Sequence, residues 1–386
     1  MVVAFSSVEK HVVNKNTLFN LCKYLLAFGL LGYVIYSNWS PESGNGLEDV
    51  WQRHVLEGKP IHGGFFALAF AIFSSSLLLT LLRWYVLVRA QDLPFRVRDA
   101  LRLGLLGFFY NTFLPGSVGG DIVKAAYVAR EQSRRTVAVA TVLMDRAIAL
   151  WALIWFVALI GGGFWASGNL AGDNSAPARS IVLAAVGIVT VTTVGWLLLG
   201  LLPSQQANRL ADWLTRLPKV GGSAAELWRA VWMYRCRQKA VLLAMLITGV
   251  GQFGFVCAFY CCTRTLWDGN MAKNPLPTLA QHFMLVPVGM VVQAVPLFPG
   301  GVGIGELGFA KLYGLFGSDP ANGVTASLVM RVITWMLGLI GCLVSANMRS
   351  QLSRGSPSAA KVPPPSINGT QQKAAPIPHP VPAIEG

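Results

Sequence analysis

Phe113-Leu114-Pro115-Gly116-Ser117-Val118-Gly119-Gly120-Asp121 and, later, Leu297-Phe298-Pro299-Gly300-Gly301-Val302-Gly303-Ile304-Gly305-Glu306 share one pattern: a proline-glycine break, a glycine run, then an acid. Both lie inside apolar stretches. A helix cannot run unbroken through such a sequence, because proline removes an N–H donor and glycine releases the backbone. The match extends outward. Asp121 precedes Arg146 by 25 residues and Glu306 precedes Arg331 by 25, while Leu93-Pro94 and Leu276-Pro277 sit upstream at nearly equal offsets. A duplicated unit that breaks its helices and carries ionisable residues within apolar sequence marks a transport pathway.

Of the 386 residues, 54% are hydrophobic and 12% charged. A soluble domain of this size needs far less apolar sequence to fill its core, so the composition predicts a polytopic membrane protein. The net charge of +14 comes from Lys and Arg beside the hydrophobic segments, where they orient helices and meet anionic headgroups. No nucleic-acid partner is expected. The six cysteines form no CxxC pair, and the histidines stand singly at 11, 54, 62, 282 and 379. Neither zinc nor triad geometry is visible, so no metal, cofactor or enzymatic activity is expected. His282, at the mouth of an apolar segment, reads as an interfacial residue.

Six runs are long and apolar enough to cross a bilayer: 18–36, 63–82, 137–160, 180–202, 240–262 and 324–346. Two more, 101–119 and 282–317, are interrupted. The acidic connection 37–62 should be outside and the N-terminal residues 1–17 inside, with the first run a retained span and not a cleaved signal. Arg83, Arg89, Arg96, Arg98 and Arg102 precede the first break and Lys124, Arg130, Arg134 and Arg135 follow it, which places both flanks of 101–119 on the cytoplasmic side. Such a segment is a re-entrant hairpin. The basic loop 203–239 is cytoplasmic, and its alternating Trp and basic residues fit either amphipathic helices in the headgroup layer or a solvated loop helix.

The predicted fold is therefore all-α: six transmembrane helices and two re-entrant hairpins, arranged as repeats over 18–163 and 180–348. Three crossings separate the copies, so the second is inserted upside down, an inverted-topology repeat. Residues 349–386, rich in proline, fit a disordered cytoplasmic tail.

Pro115, Gly116, Gly119 and Gly120 form the first break, and Pro299, Gly300, Gly301 and Gly303 the second. Asp121 and Glu306 are expected at the N-cap of each returning helix, with free N–H groups and positive dipole ends facing a central cavity. Arg146 and Arg331 lie deep within spans, where a charge costs about 2.5–3.5 kcal/mol unless paired or hydrated. Asp121 with Arg146 and Glu306 with Arg331 thus form two candidate substrate-binding sets, joined by Lys124 and Lys311. Asp145 has no acidic twin, since Met330 takes that place, and reads as neutralising a neighbouring arginine. The alternative is that these charges are buried pairs that lock helix packing, and that the glycines serve close helix approach.

In the order Asn111-Thr112-Phe113-Leu114-Pro115-Gly116, Gly119-Gly120-Asp121, Asp145-Arg146, Phe298-Pro299-Gly300-Gly301-Val302-Gly303 and Glu306, the chain resembles the transmembrane flippase region of lysylphosphatidylglycerol synthases, over about residues 15–348. That region also occurs as a stand-alone integral membrane protein. The resemblance implies an inner-membrane protein that moves lipids with polar headgroups between leaflets. Its two-domain members carry a soluble aminoacyl-transferase after the membrane region. Here the proline-rich tail follows, so lysyl transfer is not expected. The expected partners are membrane lipids, namely anionic or aminoacylated phospholipids or polyprenyl-linked lipids, and a lipid-modifying enzyme. Competing readings are a secondary transporter of a small anion, a membrane transferase, and a non-transporting partner of a lipid-modifying enzyme.

Overall fold

A computed structural model describes residues 21–40, 46–114, 119–131, 135–168, 176–216, 221–293 and 298–354. The chain divides into two units, 1–346 and 347–386, and the elements that build the site belong to the first. Among the described residues the structure is helical, without strands. The tail beyond 354, and Pro115 and Gly116 of the first break, lie outside the described residues.

Among the described residues five helices are long and apolar enough to cross a membrane: α3 (Gly63–Arg89), α6 (Arg135–Ala166), α7 (Ala176–Leu201), α10 (Gln238–Thr265) and α13 (Pro320–Arg354). They coincide with five of the six expected spans. The sixth, α1 (Leu21–Ser37), is apolar but 17 residues long within the described chain. A short α2 (Leu47–Trp51) with a π-turn over Gln52–Leu56 leads to α3. Exposed Leu183, Val191, Leu197 and Leu198 on α7 and Leu242, Leu246, Val250 and Phe253 on α10 form outward apolar surfaces that water would not tolerate at this density.

α3 and α10 make the most extensive pairing. Small residues permit it: a Cβ on Gly254 would collide with the Ser76 hydroxyl, and Gly251 faces the Ser76 carbonyl. Phe73, Leu77 and Leu81 on α3, spaced one turn apart, interlock with Ala258, Cys261 and Cys262 on α10 and Val329, Ile333 and Leu337 on α13. α6 packs on α7 through Val157, Ala158, Ala185 and Val189.

The interrupted runs form two antiparallel helix pairs, α4 (Val97–Phe113) with α5 (Gly119–Glu131), and α11 (Leu279–Gln293) with α12 (Ile304–Leu315). Close backbone approach holds the first, since a Cβ on Gly120 would overlap the Gly107 carbonyl and the Gly120 N–H donates to Asn111 Oδ1 at 2.7 Å. In the second, Gly289 accepts the Phe309 ring and Gly305 faces Gln293. The second turn is a 3₁₀ segment, Pro299–Gly301, in which Gly300, Gly301 and nearby Gly303 take φ of 55°, 68° and 83°. Only glycine adopts three such values in five residues without strain.

The basic loop folds as α8 (Ser204–Thr215) and α9 (Gly221–Cys236). α8 turns Ala207 and Ala211 inward, and the Trp228 indole N–H donates to the Ala207 carbonyl at 2.9 Å. α9 is fastened to the bundle where buried Tyr234 donates its hydroxyl hydrogen to the Leu87 carbonyl and Gln91 donates to Ala230.

Candidate functional site

The two helix pairs meet inside the bundle. Gly300 lies against the Thr112 carbonyl, so closely that a Cβ there would stand 2.6 Å from that oxygen. α1 touches the end of α4 and the second turn: the Tyr24 hydroxyl donates to the Phe113 carbonyl at 2.9 Å, and Gly303 faces the Ala27 carbonyl. Beside this junction lies a cavity of about 360 Å³, lined from α3, α4, α5, α6, α10, α11, α12 and α13. Its charged wall is Arg83, Lys124, Asp145, Arg146 and Arg331, and its apolar wall includes Phe73, Leu77, Phe255, Phe259 and Val286.

Both acid–arginine sets form. Arg146 Nε donates to Asp121 Oδ2 at 2.5 Å, and Arg331 Nε donates to Glu306 Oε1 at 2.6 Å. They are not equivalent. The Arg331 side chain is 6% exposed and that of Glu306 is 0%. The two terminal nitrogens of Arg331 also reach the Gly300 and Gly301 carbonyls at 3.2 and 3.3 Å. This guanidinium fastens the left-handed turn to α13. Arg146, by contrast, is 46% exposed on the cavity wall. Lys124 stands 4.0 Å from Asp121 Oδ1 and 5.1 Å from the centroid of the buried Trp84 ring, a cation–π contact.

The acids do not occupy N-cap positions. Each is the third residue of its helix, and Glu306 reaches back so that its Oε2 accepts the Gly303 N–H at 2.7 Å. The Gly120 N–H is taken by Asn111. These two donors are engaged within the protein and do not stand free for a ligand; a third-position carboxylate reaches back to the N–H of the cap residue, as Glu306 does to Gly303.

Arg83 belongs to this site and not to a loop. α3 continues seven residues past the expected end of its span, and Arg83 is buried, donating from Nε to Asp145 Oδ1 at 2.8 Å and from Nη1 to Thr248 Oγ1 at 3.2 Å. This is the neighbour that Asp145 neutralises. Lys311 departs from the expected set: it is exposed and does not line the cavity. It lies five residues beyond Glu306, whereas Lys124 lies three beyond Asp121, and on a 3.6-residue helix those offsets point in different directions. The residue at the Lys124 offset is Phe309, which does line the cavity.

His282 is fully buried, not interfacial. Its Nδ1 faces the Thr278 carbonyl at 2.9 Å, and its Nε2 faces the Tyr313 hydroxyl at 2.9 Å, which in turn meets Thr263 Oγ1 at 2.8 Å. This network ties α10, α11 and α12 together. Gln252, which nothing in its sequence context marks, also lines the cavity. Among the described residues no group of three His, Cys, Asp or Glu side chains gathers to hold a metal.

Residues 52–341 match the family described as the lysylphosphatidylglycerol synthase TM region. Two proteins of Methanothermobacter thermautotrophicus, each named a UPF0104 membrane protein, are similar. One is 24% identical over 280 residues, covering 67% of this chain and 78% of its own. The other is 23% identical over 316 residues, covering 75% and 85%. No solved structure matches the chain. With three quarters of its length in register with that family and its interrupted helices gathered around a charged cavity, this multi-pass membrane protein belongs to the lysylphosphatidylglycerol synthase TM family.

Proposed function

We propose that the chain is a lipid flippase or scramblase whose substrate carries a phosphate headgroup. The headgroup crosses through the central cavity while the acyl chains stay in lipid. The observation that carries this reading is an imbalance of charge. Among the described residues of these ion pairs four cations, Arg83, Lys124, Arg146 and Arg331, gather with three carboxylates, Asp121, Asp145 and Glu306. An anionic group beside Arg146 would bring the set to neutrality through a charge-assisted hydrogen bond. A guanidinium suits a phosphate by its planar fork.

In the same reading α1 is the sixth span, α4–α5 and α11–α12 are re-entrant hairpins entering from opposite faces, and both termini are cytoplasmic in the inner membrane. Charged residues at the outer end of α4, among them Arg96, Arg98 and Asp99, and apolar sequence toward the turn support this. So does the close antiparallel packing of each pair, which covers backbone that lipid could not solvate.

The test is a reconstitution. Purified full-length protein in vesicles with a headgroup-proximal fluorescent phospholipid should expose the inner-leaflet probe to dithionite. Arg146→Ala should lower that rate at least about tenfold, as expected for loss of one charge-assisted contact, while leaving the detergent-solubilised protein folded. Wild-type rates in Arg146→Ala would sink the mechanism. Release of entrapped radiolabelled phosphate without lipid movement would replace it with soluble-anion transport.

A further inference from the structure

The cavity has a second polar requirement, away from its arginines. Among the described residues lining it, Gln252 carries a buried side-chain oxygen with no hydrogen-bond partner. The residue is 8% exposed. An amide oxygen in an apolar setting carries a free-energy penalty until a donor reaches it. Phe255 and Phe259, three and seven residues on along the same face of α10, supply none, and Phe73 and Leu77 of α3 line the cavity with them. Methionine or leucine would fill such a place without that penalty.

The position of this amide relative to the charges is set by the helix. Thr248, one turn earlier on the same face, receives the Arg83 N–H, and Arg83 is paired with Asp145. Four residues of helix rise about 6 Å, so the unmet oxygen lies within the length of a small headgroup from the charged end of the cavity. We propose that Gln252 is a specificity-determining residue: it accepts a hydrogen bond from a hydroxyl or ammonium on the headgroup, so that the substrates are phosphodiester lipids bearing such a donor. This rests on the reading that the cavity takes a headgroup phosphate. A site with a buried unmet acceptor discriminates by what it leaves unpaired, and it disfavours a ligand of similar size that lacks the donor.

Phosphatidylglycerol and phosphatidylmethanol differ in this donor while sharing the phosphodiester. Wild-type protein in vesicles should move fluorescent phosphatidylglycerol about tenfold faster than its phosphatidylmethanol counterpart, the scale of one buried hydrogen bond. Gln252→Met should narrow that ratio to within about twofold. Equal wild-type rates for the two lipids overturn the inference without any variant, and so does a Gln252→Met ratio equal to wild type. A parallel arm uses soluble headgroups on the detergent-solubilised full chain. Glycerol phosphate should raise the melting temperature more than methyl phosphate, and Gln252→Met should erase the difference. If that difference is found while no lipid moves in vesicles, the donor-seeking role of Gln252 stands and the flippase reading falls. If both headgroups stabilise equally, Gln252 does not select.

Discussion

Arg146 and Arg331 hold equivalent places in the two halves, yet their guanidinium groups are engaged differently. Arg331 is buried against Glu306 and the Gly300 and Gly301 carbonyls, so its removal strands a buried carboxylate and two carbonyls. Breaking such a pair costs about 3–5 kcal/mol, whereas removing both partners costs less. Arg331→Ala and Glu306→Ala should therefore each lower the melting temperature strongly, and the double variant should melt above either single one. A double variant at least as unstable as the worse single one would show that the two side chains do not act as a pair. The spacing of 25 residues was enough to foresee both acid–arginine contacts, because a repeated offset between apolar segments has few other causes. Arg83 was hidden by its place at the end of an apolar run, where a positive charge ordinarily marks the cytoplasmic loop. Gln252 left no trace, since an uncharged amide in an apolar helix breaks no pattern. Lys311 misled because it was matched by nearness to the acid and not by helical phase.

At the scale of the elements, glycines fall into two classes that the sequence does not distinguish. Gly120 faces the Gly107 carbonyl at a distance no Cβ can share, and backbone cannot swing aside. Gly162 on α6 has open space around it. Gly120→Ala should abolish recovery of monodisperse protein on size-exclusion chromatography, while Gly162→Ala should behave as wild type. Comparable recovery of the two would mean that α4 and α5 are not packed as described. The hairpin helices were legible in outline from their proline-glycine breaks, although α4 begins earlier than its apolar run because the polar residues from Val97 to Arg102 still complete helical turns. The fastening of α9 by Tyr234 was not legible, because a tyrosine in a basic, tryptophan-rich stretch looks interfacial until its hydroxyl is found inside. Tyr234→Phe leaves the Leu87 carbonyl unmet and should cost about 1 kcal/mol, read as a modest fall in melting temperature.

For the whole molecule, if the lipid movement proposed above proceeds by rocking of the two helix pairs against the long helices, α4 must shift relative to α13. The two touch where a Cβ on Gly338 would lie 3.8 Å from the Thr112 Cβ, a separation suited to a disulfide. Thr112→Cys with Gly338→Cys, in a chain whose exposed Cys22 and Cys236 and nearby Cys342 are replaced, should transport when reduced and stop when oxidised. Undiminished transport by the oxidised form would exclude that motion. The helical class and the five long helices were readable from composition and run length, since twenty apolar residues in a row admit little else. The contact of Gly300 with the Thr112 carbonyl at the end of α4 depends on tertiary packing that no local pattern encodes.

The contacts of α1 bear on how such a motion would be organised. It holds the Phe113 end of α4 through Tyr24 and leans on Gly303 of the second turn through Ala27. One helix in contact with both pairs couples them: displacement of either strains or breaks its contact with α1. In the transport cycle proposed above, that coupling would link movement of one helix pair to movement of the other. The helix responsible lies ahead of the family-matched stretch, which begins at residue 52.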